Sequence, residues 1–402
     1  MITKIPKHWK IKTLGEICKV NQGLQIAIEE RFTEPIENGY FYITNEFLKA
    51  NSKTKYYIKN PSKSVLCSKE DIIMTRTGNT GIVVSDVEGV FHNNFFKIDY
   101  DKKLLHKDYL VYCLKNDRMQ YDILVKAGNS TIPDLNHSDF YTLQIAIPPL
   151  EEQEKIAEIL LTCDKAIRLT TQIITQLKQR NQGLAQQLLT GKKRIKGFEN
   201  SVWKEVRLGK IGDTYNGLTG KSKEDFGEGK SYIPYLNIFS NHIVDSATFE
   251  LVKIDIDDKQ NKVIYGDILF TISSETPDEV GMSSVMLSNI DELYLNSFCF
   301  GFRLYNFDNL LPQYACYLFR NKDFRKEIVR LAQGSTRFNL SKSEFLKTRV
   351  FLPTLTEQNV IAQILDTAHQ ELKLYEQKLQ VLQAQKKTLM QKLLTGEILT
   401  IK

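Results

Sequence analysis

The residues best suited to chemistry lie in one short loop, Thr75-Arg76-Thr77-Gly78-Asn79-Thr80-Gly81. Arginine offers a planar fork that matches a guanine edge, and asparagine can pair with adenine. Glycines let the backbone approach a ligand closely. A tight hairpin explains the same letters equally well. A counterpart, Thr271-Ile272-Ser273-Ser274-Glu275-Thr276, follows a similar strand with different chemistry. There Glu275 can accept from a cytosine amine. Gly128-Asn129-Ser130-Thr131 and Gly334-Ser335-Thr336-Arg337 recur shortly before two long helices, where turn or helix capping is the plain alternative.

No catalytic constellation emerges beside these loops. Gly217-Leu218-Thr219-Gly220-Lys221-Ser222 ends like a phosphate loop, but Tyr215 stands where the leading glycine belongs. Asn60-Pro61 is followed by Ser62-Lys63, without the aromatic ring that would stack a flipped base. Asp278-Glu279 lacks a matched lysine for a nuclease-like site. The six histidines show no metal-ligand spacing, and the six cysteines form no C-x-x-C pair, as expected of a reduced, cytoplasmic setting. No apolar run is long enough to span a bilayer. The net charge of +6 permits a nucleic-acid partner without requiring one. The densest basic run, Lys192-Lys193-Arg194 with Lys196, reads as compensation of a helix C-terminal dipole rather than as a phosphate patch.

The elements that must position these loops occur twice. Residues 148–191 and 353–396 align without a gap at a constant offset of 205, with 18 of 44 positions identical. Both begin at a proline (Pro148, Pro353) and end in Leu-Leu-Thr-Gly, with Gly191 and Gly396 placed as helix stops. Glu151, Glu152 and Glu154 crowd the first turn of copy one, where negative charge suits the helix dipole. Apolar residues repeat at four-three spacing. The first seam is Ile156, Leu160, Cys163, Ile167, Thr170, Ile174, Leu177, Asn181, Leu184 and Leu188. The second is Ile361, Leu365, Ala368, Leu372, Tyr375, Leu379, Leu382, Lys386, Leu389 and Leu393. Asn181 and Lys386 are polar at the same point; they fix register or face water near a frayed end. Each helix would be about 60 Å long. Aligned by their centres and antiparallel, they would set Thr170 beside Tyr375 and Leu184 beside Ile361.

The intervening segments read as mixed α/β. Strands are expected at Tyr40–Thr44, Asp71–Thr75, Ile82–Ser85 and Phe95–Asp99. A helix is expected over 107–127, with Tyr109, Leu110, Cys113, Leu114, Tyr121 and Leu124 inward. Residues 198–352 repeat this plan loosely: Trp9, Leu14, Gly15, Ile17, Gly23 and Leu24 match Trp203, Leu208, Gly209, Ile211, Gly217 and Leu218. The expected order is globule 1–147, helix 148–192, globule 198–352 and helix 353–398. Close helix copies beside divergent loops suggest two readers on one chassis.

The Pro-Pro-Leu-Glu-Glu-Gln start, the Leu-Leu-Thr-Gly ending, the Gly-Ser-Thr-Arg-Phe-Asn-Leu-Ser stretch at 334–341 and the duplication together resemble the specificity subunit of type I restriction-modification systems. Thr354 and Thr356, where copy one has Pro149 and Glu151, make the second helix start the weaker match. The resemblance covers essentially the whole chain. It implies an α+β fold with two target recognition domains, each reading half of a split double-stranded DNA site, and two long helices paired as an antiparallel coiled coil in a pseudo-twofold repeat. It implies no catalysis and no cofactor in this chain. S-adenosylmethionine belongs to two modification (methyltransferase) subunits carried on the helices, and ATP with magnesium to restriction subunits of the same complex. The DNA-contacting candidates are then Asn21, Gln22, Gly23, Thr75, Arg76, Thr77, Asn79, Thr80, Asn93, Asn94, Ser130 and Thr131 in the first globule. In the second they are Thr219, Lys221, Ser222, Asn237, Ser273, Ser274, Glu275, Asn296, Ser335, Thr336 and Arg337. The competing reading is a coiled-coil scaffold that binds only proteins; it predicts no DNA affinity in the assembled complex. A methyltransferase or nuclease fused in one chain would need a further catalytic domain, and the repeats leave no room for one.

Overall fold

Short β-rich runs broken by Gly, Asn and Asp build one sheet plan twice. A computed structural model describes residues 5–49, 52, 54–128, 131–334 and 336–400. It divides into two units: Met1–Thr171 with Gln377–Lys402, and Gln172–Glu376. Both boundaries fall inside long helices, which span Leu150–Leu189 and Leu355–Leu394. No described helix is long and apolar enough to cross a membrane.

In the first unit, an antiparallel sheet has the order Cys18–Gln22, Phe95–Tyr100, Ile72–Thr75, Val83–Val84. In the second, the order Gly212–Asn216, Cys299–Leu304, Ile268–Thr271, Ser283–Val285 repeats it. A two-stranded pair stands beside each sheet: Lys10–Thr13 with Gln144–Ile147, and Lys204–Arg207 with Arg349–Leu352. The side sheets diverge. The first unit adds a four-stranded sheet containing Gly39–Ile43; the second adds two three-stranded sheets. Phe96 packs edge-on to Phe140 in one core, and Phe270, Phe300 and Phe302 pack on Phe345 in the other.

One expected helix is two. Lys107–Lys115 and Asp117–Ala127 are separated by Asn116, whose backbone is extended and whose side chain caps Arg118 N–H. The break changes the helical phase. Met119, Ile123 and Ala127 therefore face inward, while Tyr121 is 65% and Leu124 49% exposed, against the inward placement expected for them.

The long helices run antiparallel within each unit. In the first, the Lys386 ammonium meets Asp164 at 2.5 Å, and Ile156, Leu160 and Leu393 share one core. In the second, the Asn181 amide donates to the Ala368 carbonyl at 2.7 Å, Arg180 pairs with Glu371, and Lys178 pairs with Glu376. This register differs from centre alignment. Asn181 opposite Ala368 brings Leu184 level with Leu365, one helical turn from Ile361. The four-three pattern fixes which face is buried, but a slide by a whole turn preserves that face. The Asn181 amide on the Ala368 carbonyl marks the observed slide. Asn181 and Lys386 are thus partnered rather than frayed. Gly191 and Gly396 end the helices at φ of 68° and 72°, a conformation that glycine adopts without strain.

The Glu-Gln of each helix start joins helix to globule. Gln153 accepts from His106 N–H and donates to the Leu104 and Pro148 carbonyls. Gln358 repeats this with Leu311 N–H and the Asn309 and Pro353 carbonyls. Glu152 lies in the first turn as expected and has a second role. It is buried, accepting from Trp9 Nε1 at 3.0 Å with His8 Nε2 equally close. Glu357 is buried likewise, but holds Arg194 and Ser201. Arg194 is therefore a clasp within the second unit.

Candidate nucleic-acid interface

The Thr75–Gly81 loop is closed by its own groups. Gly81 N–H donates to the Thr75 carbonyl and Ile82 N–H to Thr75 Oγ1, while Gly78 and Gly81 take positive φ. Arg76 N–H donates to the Asn94 carbonyl at 2.7 Å, and Leu135 N–H to the Arg76 carbonyl at 2.8 Å. The Arg76 guanidinium grips Asp134 through Nε and Nη2 at 2.8–3.2 Å, and Thr77 Oγ1 adds a further bond to that carboxylate. Hydrogen bonds from Arg76 hold the Asp134 carboxyl below its usual range. The arginine fork is thus already filled by a carboxylate. Arg76 clamps two loops here through its Nε and Nη2 groups.

Further polar groups stand on the segments that this clamp joins. Asn93 donates to Gln25 Oε1 at 2.7 Å, and Asn94 N–H donates to His92 Nδ1. Asn45 donates to the Thr77 carbonyl at 3.4 Å. The Asn45 and Asn93 Oδ1 atoms are buried with no hydrogen-bond partner among the described residues. Asn21, Gln22, Asn79 and Thr131 are exposed; Thr77, Asn93 and Asn94 are half-buried. Other candidates are structural. Thr75 and Thr80 are buried, Thr80 Oγ1 bonding the Arg76 and Pro133 carbonyls. Gly23 leaves no room for a Cβ beside the Phe91 carbonyl. Ser130 lies outside the described residues.

The second globule reproduces the backbone and changes the side chains. Gly281 N–H donates to the Thr271 carbonyl, Ile272 N–H to the Phe298 carbonyl, and Leu340 N–H to the Ile272 carbonyl. Ile272 thus stands where Arg76 does, Phe298 where Asn94 does, and Asn339 where Asp134 does. Glu275 and Thr336 are exposed. Arg337 is exposed, with its guanidinium 5.2 Å from the Phe298 ring centroid. The Thr219 N–H meets Gln260. Several candidates are spent internally. Asn237 is buried and bonds Asp245 and Thr248; Ser273 is buried; Ser274 Oγ donates to Glu279. Lys221 pairs with Asp258, which raises its pKa, Ser222 caps with Asp225, and Asn296 accepts from Phe298 N–H. Ser335 lies outside the described residues.

Gln25, Asn45, Asp134, Phe298, Asn339 and Lys342 escaped the sequence reading. Lys342 bonds Asn216 at the edge of the same face. The signal for Asp134 and Asn339 was present: each immediately precedes the leucine, Leu135 or Leu340, that ties the loop to the sheet.

A model of the type I restriction modification DNA specificity domain matches residues 6–179 and again 200–384. The chain belongs to this family. Among its relatives is the type I restriction enzyme MjaVIII specificity subunit of Methanocaldococcus jannaschii, 26% identical over 98% of this chain and 94% of that protein. The EcoKI specificity subunit of Escherichia coli is 21% identical over 88% and 81%. Among solved structures, the type I restriction-modification S subunit from M. genitalium shares the fold at TM-score 0.60, 18% identity and 98% coverage of both chains. A chain from a study of type I complex assembly and conformational transition matches at TM-score 0.59 and 18% identity, covering 98% of this chain and 100% of that one.

Proposed function

We propose that this specificity-family chain reads a bipartite double-stranded DNA site, one half per globule, without catalysis of its own. The supporting observation is the shared backbone of the two faces carrying different side chains. A fixed strand end, a glycine-turned loop and a backbone bond to the neighbouring loop recur, while Arg76, Asn94 and Asp134 become Ile272, Phe298 and Asn339. Phosphate contacts position a protein on a duplex, whereas side chains at base edges specify the sequence. A constant frame with variable tips is suited to that division.

The long helices carry two modification subunits in this reading. Exposed apolar residues lie off the seam: Ile159, Leu161, Leu169 and Val381 in the first unit, and Leu374 in the second. Burying them against a partner is favourable at about 25 cal/mol per Å². S-adenosylmethionine then sits in the modification subunits, and ATP with magnesium in restriction subunits. The test is to co-express the chain with its modification subunits, expose unmethylated DNA and sequence the methylated bases. A split motif, of which one half changes when residues 198–352 are exchanged for those of a relative, is expected. A continuous motif, or no sequence preference, overturns the proposal.

A further inference from the structure

Phe298 is exposed by construction. It is 52% exposed at the end of a turn whose backbone is fixed at both groups. Its N–H donates to Asn296 Oδ1 at 2.9 Å, and its carbonyl accepts from Ile272 N–H at 2.9 Å. The next two residues, Cys299 and Phe300, are fully buried in strand pairing with Ile268–Thr271. The ring therefore cannot withdraw into the core without breaking the sheet edge. The Arg337 guanidinium stands 5.2 Å from the ring centroid. A cation over an aromatic face is attracted by the ring quadrupole and favours a set orientation of the ring.

Phe298 bonds half-buried Ile272, and the neighbouring strand ends carry polar groups: Asn339 opposite Ser273, and Asn216, which Lys342 bonds. In the first globule the same backbone position is Asn94. An apolar tip within a polar reading face has one complement on a major-groove base edge, the 5-methyl group of thymine; the other groups there are hydrogen-bond donors and acceptors.

We propose that Phe298 is a specificity-determining residue of the second globule, contacting the 5-methyl of a thymine in its half-site, with Arg337 orienting the ring. The inference rests on the DNA-reading function above. The test uses the chain assembled with its modification subunits, once the methylated motif is known. Each thymine of the second half-site is replaced singly by uracil, which removes only the methyl. Wild type should bind about fourfold more weakly at one such position, the value of one apolar carbon. Phe298→Ala should abolish that difference, and Phe298→Leu should retain part of it. Both variants should keep wild-type thermal unfolding and first half-site preference. The proposal is overturned if no thymine-to-uracil change matters, if the second half-site contains no thymine, or if Phe298→Ala still discriminates. A ring wedged between base steps would weaken all second half-site duplexes alike on truncation, and that result also overturns it. A complex without any sequence preference defeats the underlying reading instead.

Discussion

Two seats hold globule to helix, and they solve one problem with opposite chemistry. In the first unit the Tyr112 hydroxyl donates to Asp164, and Lys386 completes a charged triad. The positions 205 residues away are Tyr317, His369 and Asn181. There His242 packs at 4.3 Å between centroids against His369 and at 5.2 Å against Tyr317. The buried glutamates differ in the reverse sense: Glu152 of the first unit has the neutral indole of Trp9 beside His8, while Glu357 of the second has an arginine. Both units keep the apolar seam and the paired glutamines while the polar partners differ.

The largest expected effect is at Glu357. Glu357→Ala leaves Arg194 uncompensated and should cost about 3–5 kcal/mol in urea unfolding. Glu152→Ala removes only hydrogen bonds to Trp9 and His8 and should cost about 1–3 kcal/mol. Equal losses would break the comparison.

Acid should separate the seats next. Burial, with His369 nearby, lowers the His242 pKa from 6.5 to about 4. The unfolded chain then binds more protons across that window. Stability from His242 is complete above pH 6.5 and is lost as pH falls toward 4, by about 3 kcal/mol at most. Hydrogen exchange at pH 7 and pH 4.5 should show the second unit loosening first. His242→Asn should flatten the response; unchanged protection in wild type would contradict it.

Arg76→Ala should alter only the first half-site, by about 1–3 kcal/mol, as a base reader or as the clamp that shapes the loop. Asp134→Asn distinguishes the two, because it frees the fork while keeping the side-chain volume. Tighter binding points to direct reading and weaker binding to clamping; no change in either variant removes this loop from the interface.

The smallest effect is at the seam. Asn181→Leu should change stability by about 1 kcal/mol or less. It should also broaden interhelical distances measured between spin labels, because one register marker is lost. A single sharp distance would show that Ala368 and the apolar ends suffice.

The helix pair was legible because gapless repetition and four-three spacing are strong signals over 40 residues. Its register was not, since sliding by one turn keeps the same face inward. The 107–127 segment hid its break because Asn116 interrupts no apolar stripe; only its cap geometry shows the stop. The orientation of the candidate loop residues was not legible. Thr75 and Asn237 carry letters suited to DNA, yet they point inward to hold turns. Phe298 carries a core letter, yet it points outward. Sequence gives residue type, while backbone hydrogen bonds decide which way a tip faces.

The boundaries inside the long helices have a consequence for synthesis. The second unit is one uninterrupted stretch, Gln172–Glu376, whereas the first is made of two pieces. Leu393 and Leu394 belong to the same core as Trp9 and Leu160. On the ribosome, the globule translated first is therefore the one completed last. Part of its core stays open to water until the closing turns of the second helix emerge.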